Sequence, residues 1–102
     1  MRKARSIEDN SLEFDEASQT LKALGHPVRL RIAASLCCDS SCNVNGIAEK
    51  LGLPQSTVSQ HLGVLRNNGI LTPRKTGVQT CYEVTDERAK RLLLIYFPCL
   101  AS

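Results

Sequence analysis

IAEKLGLPQSTVSQHLGVLRNNGIL, residues 47–71, is the stretch on which the fold turns. Val44, Ile47, Ala48 and Leu51 fall on one face of a short helix, with Asn43 or Asn45 as its cap and Gly52 as its stop. Pro54 opens the next helix, which runs to Asn67. Its Val58, Leu62 and Leu65 recur at i, i+4 and i+7, while Gln55, Ser56, Ser59, Gln60, Gly63 and Arg66 occupy the other face. Asn68-Gly69 ends it. Two short amphipathic helices joined by a tight glycine-containing turn predict a helix-turn-helix.

The flanks extend this unit. Downstream, Ile70-Leu71-Thr72 predicts a short strand and Lys75-Thr76-Gly77 a tight turn. Val78, Thr80, Tyr82 and Val84 then alternate with Gln79, Cys81 and Glu83 in a returning strand, so the hairpin forms a wing. Asp86 caps a last helix with Ala89, Leu92, Leu93 and Tyr96 on one side and Leu94, Ile95 and Phe97 on others. Upstream, Phe14, Ala17, Leu21 and Leu24 mark a first helix ended by Gly25. His26-Pro27 starts a second, Val28 to about Cys38, which is apolar nearly all round through Val28, Leu30, Ile32, Ala33, Ala34 and Leu36. Asp39-Ser40-Ser41 breaks the pattern. The expected fold is mainly α: a winged helix-turn-helix of about five helices plus a two-stranded β-wing. Residues 12–102 form a single domain behind a disordered polar arm at 1–11. The last helix carries more apolar surface than a 102-residue monomer can cover, which predicts a homodimer through the first and last helices.

Charge is divided along the chain. The net charge is only +3, but five of the ten acids, Glu8, Asp9, Glu13, Asp15 and Glu16, lie at 8–16. Between Glu49 and Glu83 there is no acid, while Lys50, Arg66, Arg74 and Lys75 lie there. That half suits a polyanion. Glutamine can pair with adenine, serine and threonine can reach groove edges or phosphate, and arginine favours guanine or phosphate. The outward residues of the fourth helix, with Arg74 and Lys75 near the hairpin turn, therefore point to double-stranded DNA. An enzyme is excluded by the lack of a Gly-rich phosphate loop, a nucleophile elbow or a Cys-x-x-Cys at a strand-to-helix junction. A non-catalytic protein-interaction module is the rival class. With no apolar stretch near ~18 residues and no secretory h-region, the expected location is the cytoplasm, with no membrane partner.

LKALGHPVRLRIAASL at 21–36, IAEKLGLPQSTVSQHLGVLRNNGIL and RKTGVQTCYEVTD at 74–86 closely resemble the arsenical-resistance-repressor (ArsR/SmtB) family of bacterial regulators. The likeness spans roughly residues 17–88. It rests on a Leu-Gly-His-Pro-x-Arg-Leu start, a Ser-x-x-Ser-x-His-Leu helix and an Asn-Gly-Ile-Leu lead into the wing. The resemblance implies a winged-helix homodimer that represses from a palindromic operator until an inducer binds. It assigns Gln55, Ser56, Thr57, Ser59, Gln60 and His61 to the DNA-reading helix and Arg74, Lys75 and Gln79 to the wing. Arg66 joins them on charge. His61 has a second reading, in which it packs against the helix surface.

Five cysteines remain: Cys37, Cys38, Cys42, Cys81 and Cys99. Three thiols within Cys37-Cys38-x-x-x-Cys42 suit a soft ion such as As(III), Sb(III) or another thiophilic metal as inducer, with Cys99 as a further ligand or resolving thiol. No cofactor is required otherwise. Zinc is disfavoured, because His26 and His61 occupy helix-start and recognition positions. The family's arsenic-sensing type carries a Cys-x-Cys pair where this chain has Asn43 and Asn45. The alternative resembles the family's thiol-based sensors: Cys37 or Cys38 cross-linking with Cys99 in response to persulfide or oxidant. Cys81, alone in the wing, is expected to fill the core.

Overall fold

The computed structural model describes residues 11–38 and 42–101, without the side chains of Cys38 and Ala101. Most of the expected polar arm and the Asp39-Ser40-Ser41 break lie outside the described residues. Helix α1 (Ser11–Leu24) begins at Ser11, one residue inside the stretch assigned to the arm. It is followed by α2 (Pro27–Cys38), α3 (Val44–Leu51), α4 (Gln55–Asn67), strands β1 (Leu71–Thr76) and β2 (Gln79–Val84), α5 (Glu87–Tyr96) and a 3₁₀ turn at Pro98–Ala101. None of the described helices is long and apolar enough to cross a membrane.

Local residues explain where α3 starts and stops and where α4 and α5 start. Asn43, not Asn45, caps α3: its side-chain oxygen accepts from the Gly46 N–H at 2.7 Å. Gly52 ends α3 in the left-handed region at φ 69°, where a side chain would be strained, and its N–H returns to the α3 carbonyls. Pro54 is the extended residue before α4. Asp86 accepts from the Arg88 N–H at 3.0 Å and so starts α5.

The core forms where the apolar stripes meet. Ile32 and Ala33 of α2, Ile47 of α3, Val58, Leu62 and Leu65 of α4, Ile70, and Ala89 and Leu93 of α5 are all buried. Helix α2 packs against α1, α4, α5, β2 and the 3₁₀ turn, the central place its apolar periphery predicts. At the foot of the wing, the Ile70 carbonyl accepts from the Thr85 and Asp86 N–H groups at 3.1 and 3.4 Å. The wing and α5 are thereby anchored at one point beside the end of α4.

The hairpin differs from the sequence expectation. Strand β1 runs on to Thr76, and Thr76 pairs with Gln79, so the turn is Gly77-Val78. Lys75 and Thr76 lie in the ladder and not in the turn, and Val78, expected in the strand, stands fully exposed at the tip. The reason is backbone conformation: Gly77 adopts φ 67°, and the loop closes around it. Pro73 is accommodated because the wing has only two strands, each with a free edge. Tyr96 is exposed with Ile95, while Leu93 is buried.

Candidate nucleic-acid interface

Helix α4 divides by face as its spacing requires. Val58, Leu62 and Leu65 turn into the core, whereas Gln55, Ser56, Ser59, Gln60 and Arg66 are exposed and Thr57 is half-buried. Across the wing, Arg74, Lys75 and Gln79 are also exposed. Arg74 Nη1 lies 3.4 Å from Glu83 Oε1, an exposed pair of small energetic weight that a phosphate can replace. The Gln79 side-chain oxygen accepts from Asn43 Nδ2 at 3.0 Å, so the wing is tied to the start of α3. The surface therefore combines short polar side chains on a helix, the helix N-terminus and two wing cations. Such a surface can meet base edges with the helix and backbone phosphates with the wing.

His61 occupies a different place from its neighbours on α4. It is half-buried, with its ring centroid 4.7 Å from that of His26. Arg29 Nη1 approaches His61 Nδ1 at 3.4 Å. Arginine can only donate, so this nitrogen is the acceptor of a neutral imidazole. Arg29 Nε also donates to the Ala23 carbonyl at 2.7 Å, and His26 Nδ1 accepts from the Val28 N–H at 3.1 Å. His26, Arg29 and His61 thus join the α1–α2 turn to α4, a role for Arg29 that spacing alone does not suggest.

Burial, then His26, then Arg29 lower the His61 pKa from the ordinary histidine value. A lowered pKa means that the folded state favours the neutral ring. This stability is fully present above about 6.5, the unfolded value, and is lost as pH falls below it, because the unfolded chain then takes up the proton first. Melting temperature is accordingly expected to drop between about pH 7.5 and about pH 5.5, and to drop less in His61→Gln, as thermal melts across that range would show.

The cysteines do not assemble as the sequence reading supposed. Cys42 is bonded to Cys81, with a Cα–Cα distance of 4.7 Å. Cys81 is therefore not a core filler, and Cys42 is drawn to the wing instead of to Cys37. Hairpin register carries the reason: β2 passes the start of α3, and the Tyr82 N–H donates to the Cys42 carbonyl at 2.8 Å. As placed, Cys42 does not fit a three-thiol site for As(III) or Sb(III) with Cys37 and Cys38. Cys37 and Cys99 are thiols, Cys37 half-buried and Cys99 exposed. Cys37 lines a cleft of about 330 Å³ with Leu36, Val84, Lys90, Leu94 and Leu100. The 3₁₀ turn that bears Cys99 packs on α2 and α5.

Comparison with known proteins agrees with this geometry. Residues 26–72 match the profile of bacterial regulatory proteins of the arsR family. The chain is 36% identical over 86 residues to the biofilm growth-associated repressor of Xylella fastidiosa, covering 84% of this chain and 75% of that one. Reduced HlyU from Vibrio cholerae superposes with a TM-score of 0.82 at 27% identity, over 91% of this chain and 97% of the other. A homodimeric winged helix-turn-helix DNA-binding domain from Mycobacterium bovis superposes with a TM-score of 0.77 at 26% identity, over 93% and 86%. The chain belongs to the arsR family, whose members are DNA-binding transcriptional regulators and not enzymes.

Proposed function

We propose that this chain is a homodimeric transcriptional repressor that grips a palindromic operator with two copies of α4 and the wing, and that oxidation of Cys37 with Cys99 releases it. Gln55, Ser56, Thr57, Ser59 and Gln60 read base edges, and Arg66, Arg74, Lys75 and Gln79 hold the flanking backbone. His61 acts from behind, by fixing α4 against Arg29 and His26. The Xylella relative is named a repressor, and the Mycobacterium neighbour is a homodimer.

One observation favours thiol chemistry over metalloid binding: the element carrying Cys99 packs on the helix carrying Cys37, whereas Cys42 is engaged by Cys81. In the reaction, Cys37 and Cys99 lose two protons and two electrons to form an S–S bond, and a small-molecule disulfide or polysulfide is reduced to thiols. Because α5 and the turn after it lead into the expected dimer face, a cross-link there shifts the spacing of the two α4 helices. That spacing must match half-sites about 34 Å apart.

The test is operator binding by fluorescence anisotropy. Three cations per protomer in a dimer make about six phosphate contacts, so affinity should fall by about a thousandfold between ~50 and ~200 mM salt. Oxidant should weaken binding by about 5- to 150-fold, the usual range of allosteric coupling. Cys37→Ser and Cys99→Ser should each abolish that response. If the double variant still responds like the parent, the thiol pair is wrongly assigned; release by arsenite that depends on Cys42 would restore the metalloid reading.

A further inference from the structure

The bond between Cys42 and Cys81 plays no part in the release just described, yet it joins the two parts of the DNA-facing surface. Cys42 immediately precedes Asn43, the cap of α3, and Cys81 sits in the middle of β2. Two hydrogen bonds flank the link. The Tyr82 N–H donates to the Cys42 carbonyl at 2.8 Å, and Asn43 Nδ2 donates to Gln79 Oε1 at 3.0 Å. On the other strand, Arg74 pairs directly across from Cys81 and Lys75 across from Thr80. Whatever holds Cys81 therefore also sets where the two wing cations stand relative to the helix-turn-helix. Beyond the link, Thr76, Gly77, Val78 and Gln79 are all exposed.

We propose that Cys42–Cys81 is a redox-labile clamp that preorganises the wing for the operator, and that a dithiol reductant opens it. The Cα separation of 4.7 Å lies inside the range that disulfides occupy. Both residues are half-buried, so the sulfurs are neither sealed in the core nor fully open to solvent. A thiolate of the reductant attacks one sulfur, giving a mixed disulfide and one released cysteine thiolate. The second thiol of the reductant displaces the other cysteine, closing the reductant's own disulfide. Two electrons and two protons pass to the pair, leaving two thiols on the protein. Once open, the wing keeps its buried foot at Leu71 and Val84 but is tied to the start of α3 only by those two hydrogen bonds, and ordering its outer part on DNA carries an entropic cost that the closed form has already met.

This proposal rests on the operator reading, so it is tested in Cys37→Ser/Cys99→Ser protein, where the release switch is silent. Air-equilibrated protein is compared with the same protein after dithiothreitol by alkylation with mass mapping, by amide hydrogen exchange and by operator affinity. Expected are protection of Cys42 and Cys81 from alkylation until reduction, faster exchange across residues 74–82 afterwards, and affinity about tenfold weaker. Adding Cys42→Ser/Cys81→Ser should reproduce the reduced state and abolish its dependence on dithiothreitol. Alkylation of Cys42 and Cys81 without reductant would overturn the clamp, as would unchanged wing exchange on reduction. If neither redox form binds DNA, the operator reading fails, and the exchange measurement still decides whether the wing is clamped.

Discussion

Ser56→Glu with Gln60→Glu should lower operator affinity by about a thousandfold while leaving the fold intact. The two side chains stand at i and i+4 on α4, so they share a face, and both are exposed. Serine and glutamine here offer hydrogen bonds to base edges, each good contact contributing about 1–3 kcal/mol of discrimination. Glutamate removes those contacts and sets two carboxylates against phosphates on a surface with no acid between Glu49 and Glu83. A dimer carries the pair twice, so even the low end gives about 4 kcal/mol, or three orders of magnitude in Kd. Stability should change by no more than about 0.5 kcal/mol, because neither side chain is packed. Anisotropy against an operator recovered by selection, with thermal melts of the same protein, separates the two effects. The neutral pair Ser56→Ala/Gln60→Ala should lose specificity but keep most of its affinity for random duplex. If the double glutamate variant binds the operator as tightly as the parent, α4 is not the reading helix.

How far the sequence alone reached depended on the range of the interaction. Helices α3 and α4 were readable because their determinants are local: an asparagine cap, a left-handed glycine, a proline and an apolar stripe at helical spacing. The hairpin is legible but the position of its turn is not, since Lys75-Thr76-Gly77 and Thr76-Gly77-Val78-Gln79 both offer local turn signals. Pairing Thr76 with Gln79 is decided by the ladder as a whole. The pairing of the cysteines is hidden for a stronger reason. Cys42 and Cys81 are separated by 39 positions, and their meeting depends on β2 running past the start of α3. Proximity along the chain grouped Cys42 with Cys37 and Cys38, while tertiary structure paired it with the wing. The inward turn of His61 likewise depends on Arg29 and His26, which reach it from another helix and the turn before it.

The largest effect is expected at the surface that α5 leaves uncovered. Ile95 and Tyr96 are 70% and 74% exposed, and α1 adds Leu12, Phe14 and Leu21, also exposed. Between these helices runs a groove of about 270 Å³ lined by Leu21, Leu24, Leu92, Tyr96 and Phe97. Covering such side chains contributes about 1.5–3 kcal/mol each at full burial, and a two-fold axis doubles every contribution. In the homodimer proposed above, a second copy of this chain covers that groove, as an operator of two half-sites would require. Ile95→Glu with Tyr96→Glu would place four carboxylates in that interface without charged partners, so the dimer dissociation constant should rise by at least about a thousandfold. The protomer should still fold, because neither side chain belongs to its own core, although its apparent stability should lose its dependence on protein concentration. Operator binding should then fall toward the non-specific range of about 10⁻⁴–10⁻⁶ M, since one α4 meets one half-site only. Sedimentation velocity reports the assembly and anisotropy the DNA affinity. A variant that remains dimeric would move the interface off α5. A monomer that keeps parental operator affinity would show that the spacing of two copies of α4, on which the proposed release by Cys37 and Cys99 relies, is not what holds the chain to its DNA.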